Sequence, residues 1–374
     1  MRKPRIVIIG AGPAGGSAAL ALRQLNAAEV LVLDKSVYPR VKVCGSGLSP
    51  LALAMLDQLR LKDRFRDRHA IIAGLWARGP DGGEVRFSAG EGAWVVPRVE
   101  FDQGVIQAAV DLGARFQEET KVLELLRDPE GNVRGVRTAK EELEADLVLC
   151  ADGSPARFSR DESPRYAIRT LMGWWRGTQL PTDATMMVWD RKLDGYYAWS
   201  FPEPDGVTNI GLTIPEGSPH ASRLKELFQE LLDEHFLPHM KGAEQVGKWM
   251  GHPAVLSTRV GAISESRAMS IGEAARLVMP ATVEGIGFAL ESGAAVARFV
   301  QRHFDQARGL TPMQQRRYRL ETAARVVPKF LGGEAFVRAM RSPRARRVGS
   351  VVTHPRVIDT MGKVLVSVLG EQPA

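Results

Sequence analysis

Cysteine is scarce, with only Cys44 and Cys150 in 374 residues. Two such thiols do not make a secreted disulfide scaffold, and a reducing cytoplasm fits. No apolar run reaches about 18 residues, so no membrane-spanning helix is expected. Arg2-Lys3 ahead of an apolar block imitates a signal peptide, but Gly10, Gly12, Pro13 and Gly15 interrupt that block and argue against export. The histidines (His69, His220, His235, His239, His252, His303 and His354) show no ligand spacing with cysteines or acids, so no metal site is expected. His235 and His239 stand four apart, but Pro238 lies between them. A P-loop, a serine nucleophile elbow, internal repeats and low-complexity tracts are all missing.

What remains is an ordinary globular composition, 44% hydrophobic and 25% charged, which excludes disorder as a serious reading. The length suits two domains, or one large domain with an insertion. Net charge is +7, and from Ala335 to Val357 there are six arginines and no carboxylate. Such a stretch attracts anionic lipid, nucleic acid or a phosphorylated substrate. A solvated helix face explains it equally well.

The organising stretch runs from Arg5 to Asp34. Arg5-Ile-Val-Ile-Ile9 has the composition of a buried parallel strand. Gly10-Ala-Gly12-Pro13-Ala14-Gly15 follows, then a small-residue helix, then Val30-Leu-Val-Leu33 ending on Asp34. In this context the glycines supply a tight turn, close approach to a diphosphate and close helix–strand packing. Asp34 lies 19 residues past Gly15, where an acid accepts from a ribose hydroxyl. Dinucleotide binding is the expectation.

Farther along, Tyr38 to Pro50 reads as a glycine-rich loop containing Cys44, followed by a helix from Leu51 to about Leu59. Residues 71–97 alternate as antiparallel strands around Pro80-Asp-Gly-Gly. A helix from Arg98 ends near Gly113. Short strands surround Lys121–Leu125 and Val133–Thr138. Asp146–Cys150 is a further buried strand, opening onto Ala151-Asp152-Gly153. Between about Ala167 and Met250, alternating runs and clustered tryptophans indicate a mixed sheet with a helix from Arg223 to Phe236. Near Val260 the chain returns to the first domain. Glu284-Gly285-Ile286-Gly287 opens a long helix through His303 with a small-residue face, and the remainder reads as helical.

Six ordered motifs resemble the flavoprotein hydroxylase-like superfamily and, within it, the geranylgeranyl reductase family. They are the Gly10–Gly15 fingerprint with Asp34; Tyr38-Pro-Arg40 with Lys42-Val-Cys44-Gly45; Arg98 with Phe101-Asp102; Ala151-Asp152-Gly153; Tyr197-Ala-Trp199-Ser-Phe201-Pro202; and Gly272-Glu273-Ala274 with Pro280 and Glu284-Gly-Ile286. The resemblance covers most of residues 5–300. It implies an α/β fold: a Rossmann-like FAD-binding domain of the glutathione reductase and para-hydroxybenzoate hydroxylase type, an inserted mixed-sheet substrate domain and a helical C-terminal cap. Residues 1–75, 98–160 and 260–305 would form the first domain, 76–97 and 161–259 the second, and 306–374 the cap.

On that resemblance the bound dinucleotide is FAD, held by Gly10, Gly12, Pro13, Ala14, Gly15, Asp34, Lys35, Arg40, Cys44, Gly45, Arg98, Asp152, Gly153, Gly272, Glu273, Gly285 and Ile286. Glu273 departs from the family's usual aspartate and adds roughly 1.5 Å of reach. Asp194 departs too, standing where some relatives have a proline. Cys44, between cations that favour a reactive thiolate if close, is expected near the reacting carbons, although a small space-filling residue is the plain alternative. Tyr197, Trp199 and Phe201, two apart on a strand, would share one face and, with Pro202, form an apolar substrate wall. Cys44, Tyr197 and Trp199 are the catalytic candidates.

The expected activity is reduction of carbon–carbon double bonds in an isoprenoid or similarly apolar, lipid-like substrate. Electrons would come from NAD(P)H or a small redox protein, since no second nucleotide fingerprint is present. The alternative is an FAD-dependent monooxygenase or halogenase, although the halogenase W-x-W-x-I-P run is missing. Nucleic acid is not an expected partner. The basic C-terminal stretch would dock a cytoplasmic protein peripherally on an anionic membrane face.

Overall fold

The computed structural model describes residues 2–162 and 165–343. Its first body is a six-stranded sheet in the spatial order Ser264–Glu265, Ala268–Ser270, Leu147–Cys150, Arg5–Ile9, Glu29–Leu33 and Arg115–Gln117. All neighbours pair in parallel except the antiparallel edge strand Ser264–Glu265. Buried on both faces, the central strand obeys the two-residue side-chain period. Ile6 and Ile8 pack into a helix-covered core, while Val7 and Ile9 meet Val122, Val133 and Val136 of a three-stranded sheet on the opposite side.

The helices are α1 (Pro13–Gln24), α2 (Pro50–Gln58), α3 (Arg98–Asp111), α4 (Leu224–Leu231), α5 (Ile286–His303) and α6 (Pro312–Arg341). α1 is clamped between α3 and α5, and small residues make the approach possible. A Cβ on Gly16 would lie 2.8 Å from Val105 Cγ1, and one on Gly293 would lie 2.1 Å from Ser17 Oγ. These contacts hold the N-terminus of α1 above the carboxyl ends of the parallel strands, where ligands of such sheets bind.

The second body is an eight-stranded sheet in the order Glu244–Leu256, Tyr166–Arg176, Val207–Pro215, Ala198–Pro202, Ala184–Val188, Ala70–Arg78, Glu84–Val95 and Gly47–Leu48. It is mixed, since Ala184–Val188 and Ala70–Arg78 pair in parallel. Gly47–Leu48 and the whole of Ala70–Arg78 belong to this sheet. One face is covered by α4 through Leu227, Phe228 and Leu231, which pack near Trp175, Ile210 and Leu212. Past α4 the chain makes one wider π turn, Leu232–Phe236, completing the helical stretch expected from the sequence. The other face carries Met172, Tyr197 and Trp199, with Trp174 and Val43 packed against them. Trp174 and Trp175 therefore serve opposite faces, as their adjacency on a strand requires.

α6 ties the two bodies together. Its N-terminus has a reciprocal Thr311–Gln314 capping box. Tyr318 packs at a tilt against Phe299 and Phe330 edge-on against Phe288, both on α5. Farther on, Val337 joins Ile168, Tyr196 and Leu256 of the second body, and Phe336 meets Trp189 with ring centroids 6.0 Å apart. The arginines of the basic run from Arg344 onward lie outside the described residues.

Candidate active site

Backbone geometry explains each fingerprint glycine. Gly10 ends its strand at φ +99°, and a Cβ there would sit 2.5 Å from Ala151 O; a Cβ on Gly15 would come within 1.8 Å of Gly10 O. Neither position admits a side chain without moving backbone. Gly12 caps α1 with no side-chain hydrogen bond, and Pro13 follows at the first helical position. Ala14 is buried in the first turn. The first N–H groups of α1 are thus left for an anion rather than a side chain.

Asp34, 8% exposed, closes the turn. Its Oδ2 accepts from Ala11 N–H at 2.9 Å and from the Tyr38 hydroxyl at 3.3 Å, and its Oδ1 accepts from Ser36 N–H at 2.9 Å. About four acceptor positions exist on a carboxylate, so one is left for a further donor. Lys35 beside it is exposed at the rim.

A chain of polar contacts runs inward from Asp34. Arg40 Nε donates to Tyr38 Oη at 2.9 Å, and Arg40 Nη2 lies 2.9 Å from Asp102 Oδ2. Arg98 forks onto the same carboxylate at 2.8 and 2.7 Å. Asp102 is fully buried and Arg98 nearly so. Burial opposes the Arg98 charge, but Asp102 more than offsets it, and Cys44 adds to the effect, so the guanidinium is held above its ordinary range. Two guanidinium groups share one carboxylate, leaving a net positive charge. Arg40 Nη2 lies only 3.4 Å from where a Gly12 Cβ would stand, so that charge reaches the fingerprint turn.

The Cys44 loop lies flat against the second sheet. A Cβ on Gly45 would fall 2.9 Å from the Phe201 ring and 3.1 Å from Trp199 Nε1. Cys44 is half-buried, and its Sγ accepts from Ser46 N–H at 3.4 Å. Tyr197, Trp199 and Phe201 do form one aromatic face, with successive ring centroids 6.0 Å apart. Pro202 is buried at the end of the same strand. The Tyr197 hydroxyl donates to Thr282 O, and Trp199 Nε1 donates to Asn209 Oδ1 at 2.8 Å. Burial, then Glu284 and Cys44, push the Tyr197 hydroxyl above its ordinary range.

On the first-body side, Gly272 at φ +60° lies where a Cβ would be 2.6 Å from the Ala14 methyl, and its N–H donates to Ser292 Oγ at 2.9 Å. Glu273 keeps Oε1 buried without a partner, and Asp152 does the same with Oδ1. Burial raises both carboxyl groups; Lys42 and Arg98 oppose it at Glu273, and the Arg157 N–H opposes it at Asp152. Gly153 adjoins Glu273 Oε2, a Cβ there being 3.8 Å away. Gly285 caps α5 with no side-chain bond, and Ile286 is its first helical residue.

Three participants were missed in the sequence reading. His252 Nε2 lies 2.6 Å from Lys42 Nζ, and nothing local marks it. Glu284 Oε1 accepts from the Ser49 hydroxyl at 2.5 Å and from Gly287 N–H at 3.2 Å; it was named only for its motif. Asp102 was likewise quoted as part of a motif, without the task of neutralising two arginines. Elsewhere, Asp190, Glu234 and His235 converge despite their sequence separation. Lys192 pairs with Glu234, and Arg78 reaches His235 Nδ1 at 3.3 Å, so the cluster is a compensated ion-pair network.

An FAD binding domain family matches residues 3–301. A menaquinone reductase of Mycobacterium tuberculosis strain H37Rv is 29% identical, covering 96% of this chain and 86% of its own. A digeranylgeranylglycerophospholipid reductase of Methanothrix thermoacetophila is 26% identical over 77% of this chain and 75% of its own. Among solved structures, a geranylgeranyl bacteriochlorophyll reductase-like protein of Thermoplasma acidophilum superposes with TM-score 0.79 at 20% identity, covering 97% of this chain and 99% of that one. A flavin-dependent brominase superposes with TM-score 0.82 at 19% identity, covering 99% and 94%. At such identities the superpositions speak for the fold. The chain belongs to the FAD binding domain family and is an FAD-dependent oxidoreductase.

Proposed function

We propose that the enzyme reduces a carbon–carbon double bond in an isoprenoid or similarly apolar, lipid-like compound. The observation that carries this reading is the Tyr197–Trp199–Phe201 face lying against the Cys44–Gly45 loop. Its polar hydrogens on Tyr197 and Trp199 are already engaged, so it offers a substrate apolar surface. The names of the reductase relatives, a menaquinone reductase and a digeranylgeranylglycerophospholipid reductase, point the same way. Both named compounds carry prenyl chains.

The residues fit FAD. Gly10, Gly12, Pro13, Ala14 and Gly15 form a tight turn at the start of α1 that a Cβ at Gly10 or Gly15 would force open by meeting backbone. In this reading they take the diphosphate under the positive charge of Arg40, and Asp34 accepts from the ribose beside Lys35. Cys44, Gly45, Arg98, Asp152, Gly153, Gly272, Glu273, Gly285 and Ile286 surround the flavin half, where the partnerless oxygens of Asp152 and Glu273 are ready acceptors. The N-terminus of α5 favours negative charge on that half. Reduced FAD supplies a hydride for one alkene carbon.

The chain must bring a proton to the other carbon, and Cys44 is the side chain proposed for it. The thiolate left behind faces Arg98 and regains a proton from water. Tyr197 is a weaker donor, because its hydrogen is committed to Thr282 O. The aromatic face orients the chain and excludes water. Electrons enter from NAD(P)H or a small redox protein. The test is anaerobic: chemically reduced enzyme is incubated with prenylated quinones and lipids, and products are weighed by mass spectrometry. A gain of two hydrogens is expected. No hydrogenation in that assay, with substrate-dependent oxygen consumption once air is admitted, would overturn the reading in favour of a monooxygenase.

A further inference from the structure

The outward side of α6 carries a stripe of apolar residues where a surface helix of a soluble protein is normally polar. Tyr318, Val326, Phe330, Gly333 and Val337 face the protein. On the opposite side Met313, Leu320 and Leu331 are 80%, 52% and 54% exposed, and Ala324 and Ala335 are exposed with them. At 3.6 residues per turn these five positions fall within a sector of about 60°. The helix carries seven basic and two acidic residues. Arg316 and Arg325 flank the stripe, and Arg317 and Arg338 stand within its sector toward its two ends; all four are exposed, while both acids are already paired, Glu321 with Arg317 and Glu334 with Arg338.

We propose that this face of α6 lies in the interface of an anionic lipid bilayer. An apolar stripe bordered by arginines matches the acyl boundary and the headgroup charge together. A second copy of the chain fits less well, because the antiparallel pair that matches Leu320 to Ala335 and Ala324 to Leu331 sets Arg317 against Arg338. The same helix sends Phe336 against Trp189, whose ring centroid is 5.8 Å from that of Tyr197. Seating α6 on a bilayer leaves that contact on the far flank of the same helix, about one helix diameter from the lipid surface. The docking rests on α6 alone and does not depend on which reaction the site performs.

The experiment is co-sedimentation of the full-length FAD-loaded protein with vesicles of pure phosphatidylcholine and of phosphatidylcholine containing phosphatidylglycerol. Binding to the anionic vesicles is expected, with little to the neutral ones. Removing the two flanking charges (Arg316→Ser with Arg325→Ser) should weaken it roughly thirtyfold. Interrupting the stripe (Leu320→Gln with Leu331→Gln) should weaken it tenfold or more. All four side chains are exposed, and unchanged flavin content and melting temperature confirm that the variants fold. Undiminished vesicle binding by both variants would overturn the proposal and move the contact to residues 344–374 or another surface. Concentration-dependent dimers in sedimentation velocity, abolished by Leu320→Gln with Leu331→Gln, would overturn it in favour of self-association.

Discussion

Lys42 Nζ stands 2.6 Å from His252 Nε2, pinning the Cys44 loop to the strand Glu244–Leu256 at the edge of the second sheet. Burial, then Lys42, lower the affinity of His252 for a proton. The ring is therefore neutral and accepts from the ammonium. Because its folded pKa lies below the ordinary 6.5, the unfolded chain binds the extra proton first as pH falls. Stability is then full above that value and lost below it. His252→Gln keeps an acceptor but cannot titrate. The drop in melting temperature between pH 7.5 and 5.5 should be smaller in the variant than in the parent. An equal or larger drop would remove His252 from the acid response.

Two glycines separate the fingerprint turn from the aromatic face. Gly15→Ala drives a methyl into Gly10 O, a backbone atom that cannot yield. The variant should purify without bound FAD. Gly45→Ala meets the Phe201 and Trp199 rings instead, so the loop lifts while the fingerprint stays intact. It should retain FAD by absorbance and lose most turnover. Loss of flavin in both variants would contradict the separate placement of the two glycines.

Asp102 pairs with both Arg40 and Arg98. Asp102→Asn preserves shape but leaves two guanidinium groups without a counter-charge. Breaking a buried pair in this way costs about 3–5 kcal/mol. Chemical denaturation should show a loss of that order. A change below about 1 kcal/mol would mean that water or Cys44 screens the arginines far better than their burial suggests.

Removing the Tyr197 hydroxyl tests the assignment of the proton. Tyr197→Phe keeps the ring in the aromatic face and frees only Thr282 O, so the rate should fall less than tenfold, below the range set by deleting a general acid. Cys44→Ala should lower turnover by roughly a hundredfold or more with FAD content unchanged. The reverse order of effects would transfer the proton to Tyr197.

Much of this was legible because it is local. Arg5–Ile9, Glu29–Leu33 and Leu147–Cys150 announce themselves by apolar composition, and the period of two alone places Tyr197, Trp199 and Phe201 on one face. The strands Gly47–Leu48 and Ser264–Glu265 hold two residues each, too few to show a period. Their pairing comes from tertiary context. Pro328 argues for a break within the last helix, yet α6 runs unbroken through it, with packing against α5 and the second sheet on either side. Lys42 and His252 are 210 residues apart. No spacing rule reaches that far, so the latch between loop and sheet appears only in three dimensions.

Glu273 is where this chain departs from the aspartate of the family it resembles, and the structure gives the extra methylene a use. Its carboxylate reaches the Val255 N–H on the strand that also carries His252, joining the Gly272–Ala275 turn to the second body. Glu273→Asp shortens that reach and leaves the N–H without its acceptor, a loss of about 1–3 kcal/mol. The shorter acid still stands beside Gly153, so flavin binding should survive. Expected together are a lower melting temperature, retained FAD and a weaker hold on the edge strand, read as faster amide exchange at Val255. Unchanged exchange at Val255 with loss of FAD would show that the methylene serves the cofactor and not the junction.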